Sequence, residues 1–320
     1  GIGRALVGGI GKPQVFDLFP APQPDPDRIK DAAALIAASK RPMIFVGSGA
    51  IHARDGVLEL AEMIDAPVVA FRSGRGIVSN AHELGVTMAA AYKLWPTTDL
   101  MIGIGTRIEL PTMSRWSFRP AGLKSVRIDI DPSEMRRLTS DVAVVSDAKA
   151  GTRELLAAVS KAGTRKTSGR RAAIREASAA SLKEIQSIQP QMAYLNILRE
   201  VLPQNAIVTD ELSQVGFASW YGFPVYEPRT FITSGFQGTL GSGFPTALGA
   251  KIANPDRPVV AITGDGGFMF AVAELATAVQ FNIGVVTLVF NNNAYGNVRR
   301  DQRERFDGRV VASDLVNPDF

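Results

Sequence analysis

An α/β protein built on two doubly wound parallel sheets is the fold class this sequence predicts. Short apolar runs rich in β-branched residues alternate with Ala-rich amphipathic stretches, the pattern of parallel strands covered by helices. The alternation falls into two blocks, residues 21–160 and 190–320, separated by a polar, basic tract at 161–189. A chain of 320 residues holds about two domains' worth of sequence, at roughly 100–200 residues each.

The first block opens after the stiff, proline-rich stretch Ala21–Pro26. Asp27 is placed to cap a helix running to about Lys40. Strands are expected at Pro42–Val46, Pro67–Phe71, Leu100–Ile104, Ser125–Ile130 and Val142–Val145, each a short apolar run. Helices are expected near Gly56–Ile64 and Ala148–Ser160. The tract 161–189 has almost no bulky apolar residues, which reads as a solvated linker ending in an exposed helix. In the second block, strands are expected near Ala206–Thr209, Thr230–Thr233, Val259–Thr263 and Val285–Phe290, with helices at Met192–Val201, Phe244–Ile252 and Phe270–Phe281. Both ends look cut. Gly11–Pro20 reads as a lone strand with nothing before it to pair with, and Asn317–Phe320 stops where a helix should start.

Composition removes several functional classes. With 46% hydrophobic and 21% charged residues the chain is of globular type, neither disordered nor collagen-like. The absence of cysteine excludes disulfides, thiolate metal sites and cysteine nucleophiles. Only His52 and His82 are present, which argues against a multi-histidine metal centre. The net charge of +4 is scattered, unlike the concentrated basic face of a nucleic-acid binder. Apolar runs fall far short of a membrane span, and residues 1–20 lack the pattern of a signal peptide. No nucleic-acid or membrane partner is expected, and the expected location is the cytoplasm.

The strongest chemical signal is Gly264-Asp265-Gly266-Gly267 combined with Asn291-Asn292. Asp265 ends one apolar strand and Asn291 the next, with a helix between. A right-handed βαβ unit puts Asp265 and Asn292 at the carboxyl ends of two parallel strands, where open α/β sheets bind ligands. A carboxylate and an amide oxygen are hard ligands suited to Mg²⁺ or Ca²⁺, with phosphate oxygens completing the shell. Gly266 and Gly267 allow close backbone approach at a helix amino-terminus, where free N–H groups favour a diphosphate.

These residues resemble the thiamine diphosphate motif, a GDG followed some thirty residues later by NN. Gly235–Gly249, Glu274–Thr277 and Tyr295-Gly296 are similar to the diphosphate-binding domain of the acetolactate synthase, pyruvate oxidase and benzoylformate decarboxylase family. Residues 27–160, with Ile128–Pro132, resemble its central domain and residues 11–20 the last strand of its amino-terminal pyrimidine-binding domain, so that 1–20 is a remnant of that domain and 21–160 the central one. On that scheme 161–189 is the linker and 190–320 an incomplete diphosphate-binding domain. The resemblance implies that Asp265, the Asn292 side chain and the Ala294 carbonyl ligate Mg²⁺. Gly264, Gly266 and Gly267, with Ser213 and Gln214, would hold the diphosphate. Leu240 would bend the cofactor into a V, so that its own imino group reaches the thiazolium carbon, and the Gly238 carbonyl would accept from the aminopyrimidine. Leu240 and Gly238 are therefore the catalytic candidates. Glu274 is expected only to cap or orient.

The implied activity is thiamine diphosphate- and Mg²⁺-dependent cleavage or formation of a C–C bond on a 2-oxo acid, acetolactate synthase-like, in a homodimer or homotetramer. The family also draws on a glutamate from an amino-terminal domain that these residues do not include, so turnover is expected to need more than this segment. Two departures bear on the subclass. Asp301 stands where biosynthetic acetolactate synthases carry a tryptophan, and Arg107-Ile108-Glu109-Leu110 replaces their flavin-associated RFDD, which disfavours FAD. Arg299 and Arg300 are expected in a solvated or interdomain role. The alternatives are a 2-oxo acid decarboxylase or a 2-hydroxyacyl-thioester lyase of the same family, a nicotinamide- or flavin-binding oxidoreductase using Gly47–Ala50, or a non-catalytic cofactor-binding subunit. The Gly47–Ala50 fingerprint is incomplete, with His52 where a third glycine would stand, and reads better as a turn.

Overall fold

Strand β1 (Pro42–Val46) is buried along its whole length, as a parallel strand with helices on both faces must be. In the computed structural model, which describes residues 20–112, 116–163 and 166–320, it is central to a six-stranded sheet. The other strands are β2 (Val68–Ala70), β3 (Gly85–Val86), β4 (Leu100–Ile104), β5 (Lys124–Asp129) and β6 (Val142–Val145). Their order is β3-β2-β1-β4-β5-β6, and every pair is parallel. Chain order reverses at β1, so the crossovers cover both faces. The second sheet holds β7 (Ile207–Asp210), β8 (Phe231–Ile232), β9 (Val259–Gly264) and β10 (Val286–Phe290) in the order β10-β9-β7-β8, again all parallel. Two doubly wound parallel sheets are therefore present, as the alternation of apolar runs and amphipathic stretches requires.

Local differences from the sequence reading have physical causes. β3 is two residues long, too short to leave a periodic pattern. The first helix, Pro26–Ala38, is capped by Asp25, whose Oδ1 accepts the Asp27 N–H at 2.9 Å. Pro26 takes the first helical position, where no N–H is needed, so Asp27 lies inside the first turn. The single helix expected over Phe270–Phe281 is two, Asp265–Phe270 and Glu274–Gln280. The expected strand over Gly11–Pro20 lies outside the described residues except for Pro20.

The helix expected at the end of the tract 161–189 is present, but it is docked rather than exposed. Residues Arg170–Ile185 form a helix packed against the helix Met88–Leu94 of the first domain. Its buried positions Ile174, Ala177, Ser181 and Ile185 recur at helical spacing, a stripe too narrow and too small in side-chain volume to stand out in composition. Three of its charged side chains are paired: Arg171 Nε lies 2.6 Å from Asp65 Oδ1, Arg175 2.7 Å from Glu83, and Glu184 2.6 Å from Lys93. Exposed pairs of this kind contribute about 0–1 kcal/mol each. Burying Ile174 and Ile185 contributes about 1.5–3 kcal/mol each and dominates the docking.

The two domains meet at a buried arginine. Arg75, from the loop after β2, donates to the carbonyls of Ser219 (3.1 Å) and Phe223 at the end of the helix Gln214–Gly222. It also lies 4.2 Å from the Phe231 ring centroid. Nearby, Asn80 and Val225 exchange two 3.0 Å hydrogen bonds. Trp220 Nε1 donates to Asp210 Oδ2, while Oδ1 has no partner. Burial pulls Arg75 down to about 10 and pushes Asp210 up to about 7, the mutual attraction offsetting only part of the desolvation. In the unfolded chain Asp210 titrates near 3.8. Between that value and about 7 the folded state therefore holds more protons, and stability falls as pH rises through the window. Asp210→Asn should flatten that slope and raise the melting temperature at pH 8 while leaving it nearly unchanged below pH ~4. Thermal melts of both proteins from pH 4 to 8 measure this, and parallel curves would refute it.

Candidate functional site

β9 and β10 are paired so that Gly264 stands level with Phe290, and the chain leaves both strands at the same height. Asp265 begins the helix Asp265–Phe270 there, and Asn291 lies beside it. On the other side of β9, Asp210 of β7 is level with Ile262. β7 is followed by β8 on one side and neighbours β9 on the other, so the point between β7 and β9 is where strand order reverses. A cavity of about 600 Å³ opens at these strand ends. Ser213, Gln214, Leu240, Gly264, Asp265, Gly266, Gly267, Asn292 and Ala294 all line it. Gly238 is not among these lining residues; it sits in a left-handed turn (φ 62°) beside Leu212, which does line the cavity.

The polar end is organised around Asp265, which is 2% exposed. Its Oδ2 accepts from the Ala294 N–H (3.2 Å) and from Asn317 Nδ2 (2.7 Å). Its Oδ1 accepts no hydrogen bond among the described residues. Asn291 Oδ1 accepts the Asn293 N–H at 3.0 Å, a local turn that lets Asn293 sit in the left-handed region at φ 52°. That turn carries Asn292 out over Gly296, where its amide makes no hydrogen bond among the described residues. A carboxylate with one oxygen locked and the other free, beside an uncommitted amide, fits a hard divalent cation. The first-turn N–H groups of Gly266 and Gly267 lack helical acceptors and suit phosphate oxygens. Ser213 Oγ caps the helix Gln214–Gly222 by accepting the Gly216 N–H at 2.9 Å, which leaves its O–H free to donate.

The other end is apolar. Val215, Phe217 and Tyr194 line it, and Tyr194 packs 5.2 Å from Phe290, ring centre to ring centre. Leu240, 36% exposed, stands on the cavity wall rather than in a core. Arg299 pairs with Asp314 at 2.7 Å, and Arg300 with Asn297 and Asp301, so neither lies free. Glu274 accepts from the Thr277 hydroxyl (2.8 Å) within its own helix.

Glu211 is a site residue that the sequence reading missed. It is 1% exposed, its Oε1 accepts the Gly241 N–H, and its Oε2 has no partner. Burial raises its pKa. A side chain on Gly267 would collide with Glu211 Oε1, so this glycine is required by packing as well as by any anion. Gly266 is likewise covered by the Tyr295 ring. The available signal was Asp210-Glu211, two consecutive acids at the end of a fully buried strand.

A second cleft, of about 570 Å³, lies at the reversal point of the first sheet, between the turns after β1 and β4. Gly47 and Gly49 press directly on the Gly105 backbone, which accounts for both without a nucleotide. Glu109, Asp129, Asp131, Glu134 and Asp147 line this cleft against Arg72 and Arg107, a charge balance that disfavours a diphosphate.

Comparison with known proteins agrees with both halves. Residues 29–155 match the family described as "Thiamine pyrophosphate enzyme, central domain", and residues 212–320 match "Thiamine pyrophosphate enzyme, C-terminal TPP binding domain". The chain is 34% identical over 316 residues to a probable acetolactate synthase large subunit of Methanocaldococcus jannaschii, covering 92% of this chain and 53% of that protein. It is 28% identical over 309 residues to the acetolactate synthase isozyme 1 large subunit of Escherichia coli, covering 94% and 55%. It is 30% identical over 306 residues to a probable 2-ketoarginine decarboxylase of Pseudomonas aeruginosa, covering 93% and 54%. The chain thus spans about half the length of these curated relatives.

The Glu211–Gly267 contact makes a direct prediction. Gly267→Ala should cost about 1–3 kcal/mol through overpacking. Combined with Glu211→Ala it should cost less than the sum of the two single changes. Urea unfolding of the four proteins measures the coupling, and strict additivity would refute the contact.

Proposed function

Because the chain belongs to the thiamine pyrophosphate enzyme family, we propose that it is the central and cofactor-binding part of an enzyme that breaks or makes a C–C bond beside the carbonyl of a 2-oxo acid. The proposed reaction is acetolactate synthase-like and depends on thiamine diphosphate (the same compound) and Mg²⁺. The observation that carries this reading is the two-ended cavity, with the free Asp265 oxygen and uncommitted N–H groups at one end and Leu240 on an apolar wall at the other. Thiamine diphosphate, when bound, would supply a nucleophilic ring carbon and a cationic ring able to accept an electron pair.

The chain's own residues do the holding. Asp265 Oδ1, the Asn292 side chain and the Ala294 carbonyl would ligate Mg²⁺. The Gly266 and Gly267 N–H groups, the Ser213 hydroxyl and Gln214 would take the diphosphate. Leu240 would press on the cofactor from the apolar side and hold it bent. Glu211, behind Gly241, would keep that loop in place. The whole protein is proposed to act as a homodimer or homotetramer, with further residues covering the apolar end. No helix among the described residues is long and apolar enough to cross a membrane.

A second reading, decarboxylation without joining to a second carbonyl, is favoured by Asp301. It stands where biosynthetic acetolactate synthases carry an acceptor-selecting tryptophan, and it pairs with Arg300 at 3.3 Å. The 2-ketoarginine decarboxylase among the relatives supports it. A panel of 2-oxo acids on the full-length protein, with carbon dioxide and ligated product both measured, separates the two readings.

Two variants test the site. Asp265→Ala should abolish Mg²⁺-dependent binding of thiamine diphosphate, because it removes the one formal charge among the ligands; unchanged affinity by calorimetry would sink the assignment. Leu240→Ala should lower turnover well beyond its effect on stability. A fully buried leucine costs about 2–5 kcal/mol on truncation, and this partly exposed one should cost less than the low end of that range. A large loss of melting temperature with full turnover would instead make Leu240 a core residue.

A further inference from the structure

We propose that Asn317 is the positioning residue that presents Asp265 to its cation, a role outside the GDG and NN motifs. Its Nδ2 lies 2.7 Å from Asp265 Oδ2, 3.0 Å from Asn291 Oδ1 and 3.2 Å from Asn293 Oδ1. An amide nitrogen only donates, so all three oxygens are drawn toward one point by its two hydrogens. Asp265 Oδ2 takes the Ala294 N–H as well. Both donors converge on this one oxygen, which leaves the other carboxylate oxygen free. A carboxylate locked through one oxygen and free at the other is oriented for single-oxygen ligation, and such outer contacts commonly set metal affinity.

Asn317 is itself held by the loop it serves. Asp314 forms an antiparallel bridge with Ala294, the Tyr295 N–H donates to the Ser313 carbonyl (2.9 Å), and the Leu315 N–H donates to the Asn293 carbonyl (2.9 Å). Two side-chain contacts tie the same segment to the helix Gly296–Arg305: Arg299 to Asp314 at 2.7 Å and Ser313 Oγ to Gln302 Oε1 at 3.0 Å. Residues 313–317 thus form a brace from that helix, across the asparagine loop, to Asp265. The brace fixes the spacing between Asp265 on one strand end and Asn292 and Ala294 on the other.

The proposal rests on the reading of Asp265 as a Mg²⁺ ligand, and its test separates the two. In the full-length protein, Asn317→Ala and the similarly shaped Asn317→Leu are compared with Asp265→Ala. The Mg²⁺ dissociation constant is taken from the Mg²⁺ dependence of thiamine diphosphate binding by calorimetry, and the melting temperature is measured without Mg²⁺ or cofactor. Both Asn317 variants should bind Mg²⁺ about 10–100-fold more weakly, with a metal-free melting temperature close to that of the parent. Parent-like Mg²⁺ affinity in both, with affinity lost in Asp265→Ala, would overturn this proposal alone. A weakened Mg²⁺ affinity accompanied by a large metal-free melting loss in both Asn317 variants would make Asn317 merely structural and also overturn it. Parent-like affinity in Asp265→Ala would overturn the ligand reading and this one together.

Discussion

The register of β9 against β10 is the constraint on which the candidate site depends. With Gly264 opposite Phe290, Asp265 and the asparagine run emerge side by side from a rigid sheet. Val259 to Ile262 of β9 are all buried, so a slip by one residue would exchange side chains of different size between two close-packed faces. The loops beyond the strands can then be short and polar. Their few internal hydrogen bonds need only orient side chains whose positions the sheet already determines.

Close packing behind the cavity is the second layer of control. The glycines of the GDGG run are caught between what they face and what lies behind them: Gly266 under the Tyr295 ring and Gly267 against Glu211. A buried carboxylate with one unpartnered oxygen is costly, since burial penalises its charged form. It ties the Gly241 backbone, one residue from Leu240, to the strand end that also supplies Ser213. The cavity wall carrying Leu240 and the turn at Gly267 are thereby tied to one side chain.

The domains are joined by the same kind of buried polarity. Arg75 reaches from the first domain to the carbonyl end of the helix Gln214–Gly222, a favourable place for a cation. That helix begins at Ser213 on the cavity, so the interdomain arginine and the candidate site sit at opposite ends of one rigid element. Desolvation weighs against the charges of both Arg75 and Asp210, so the geometry here is kept by hydrogen bonds and ring packing more than by ion pairing. The helix Arg170–Ile185 adds a lateral anchor, its isoleucines buried and its arginines paired with Asp65 and Glu83.

The sequence by itself determined the two parallel sheets, nearly all their strands, and the meeting of Asp265, Asn292 and the neighbouring glycines at the strand ends. Those features are local: alternation of apolar runs sets the strands, and turn-forming residues at strand ends mark where ligands can approach. Only the tertiary structure decided that Glu211 stands behind Gly241 and Gly267, and that the helix in a basic, weakly apolar tract docks rather than standing exposed. It alone joined Asp265 to Asn317, 52 residues apart, and Glu211 to Gly241, 30 apart. Periodicity and turn chemistry act over a few residues. Which distant side chains meet depends on how sheets and helices pack in three dimensions, where space is filled to near-crystalline density and most buried polar atoms are paired.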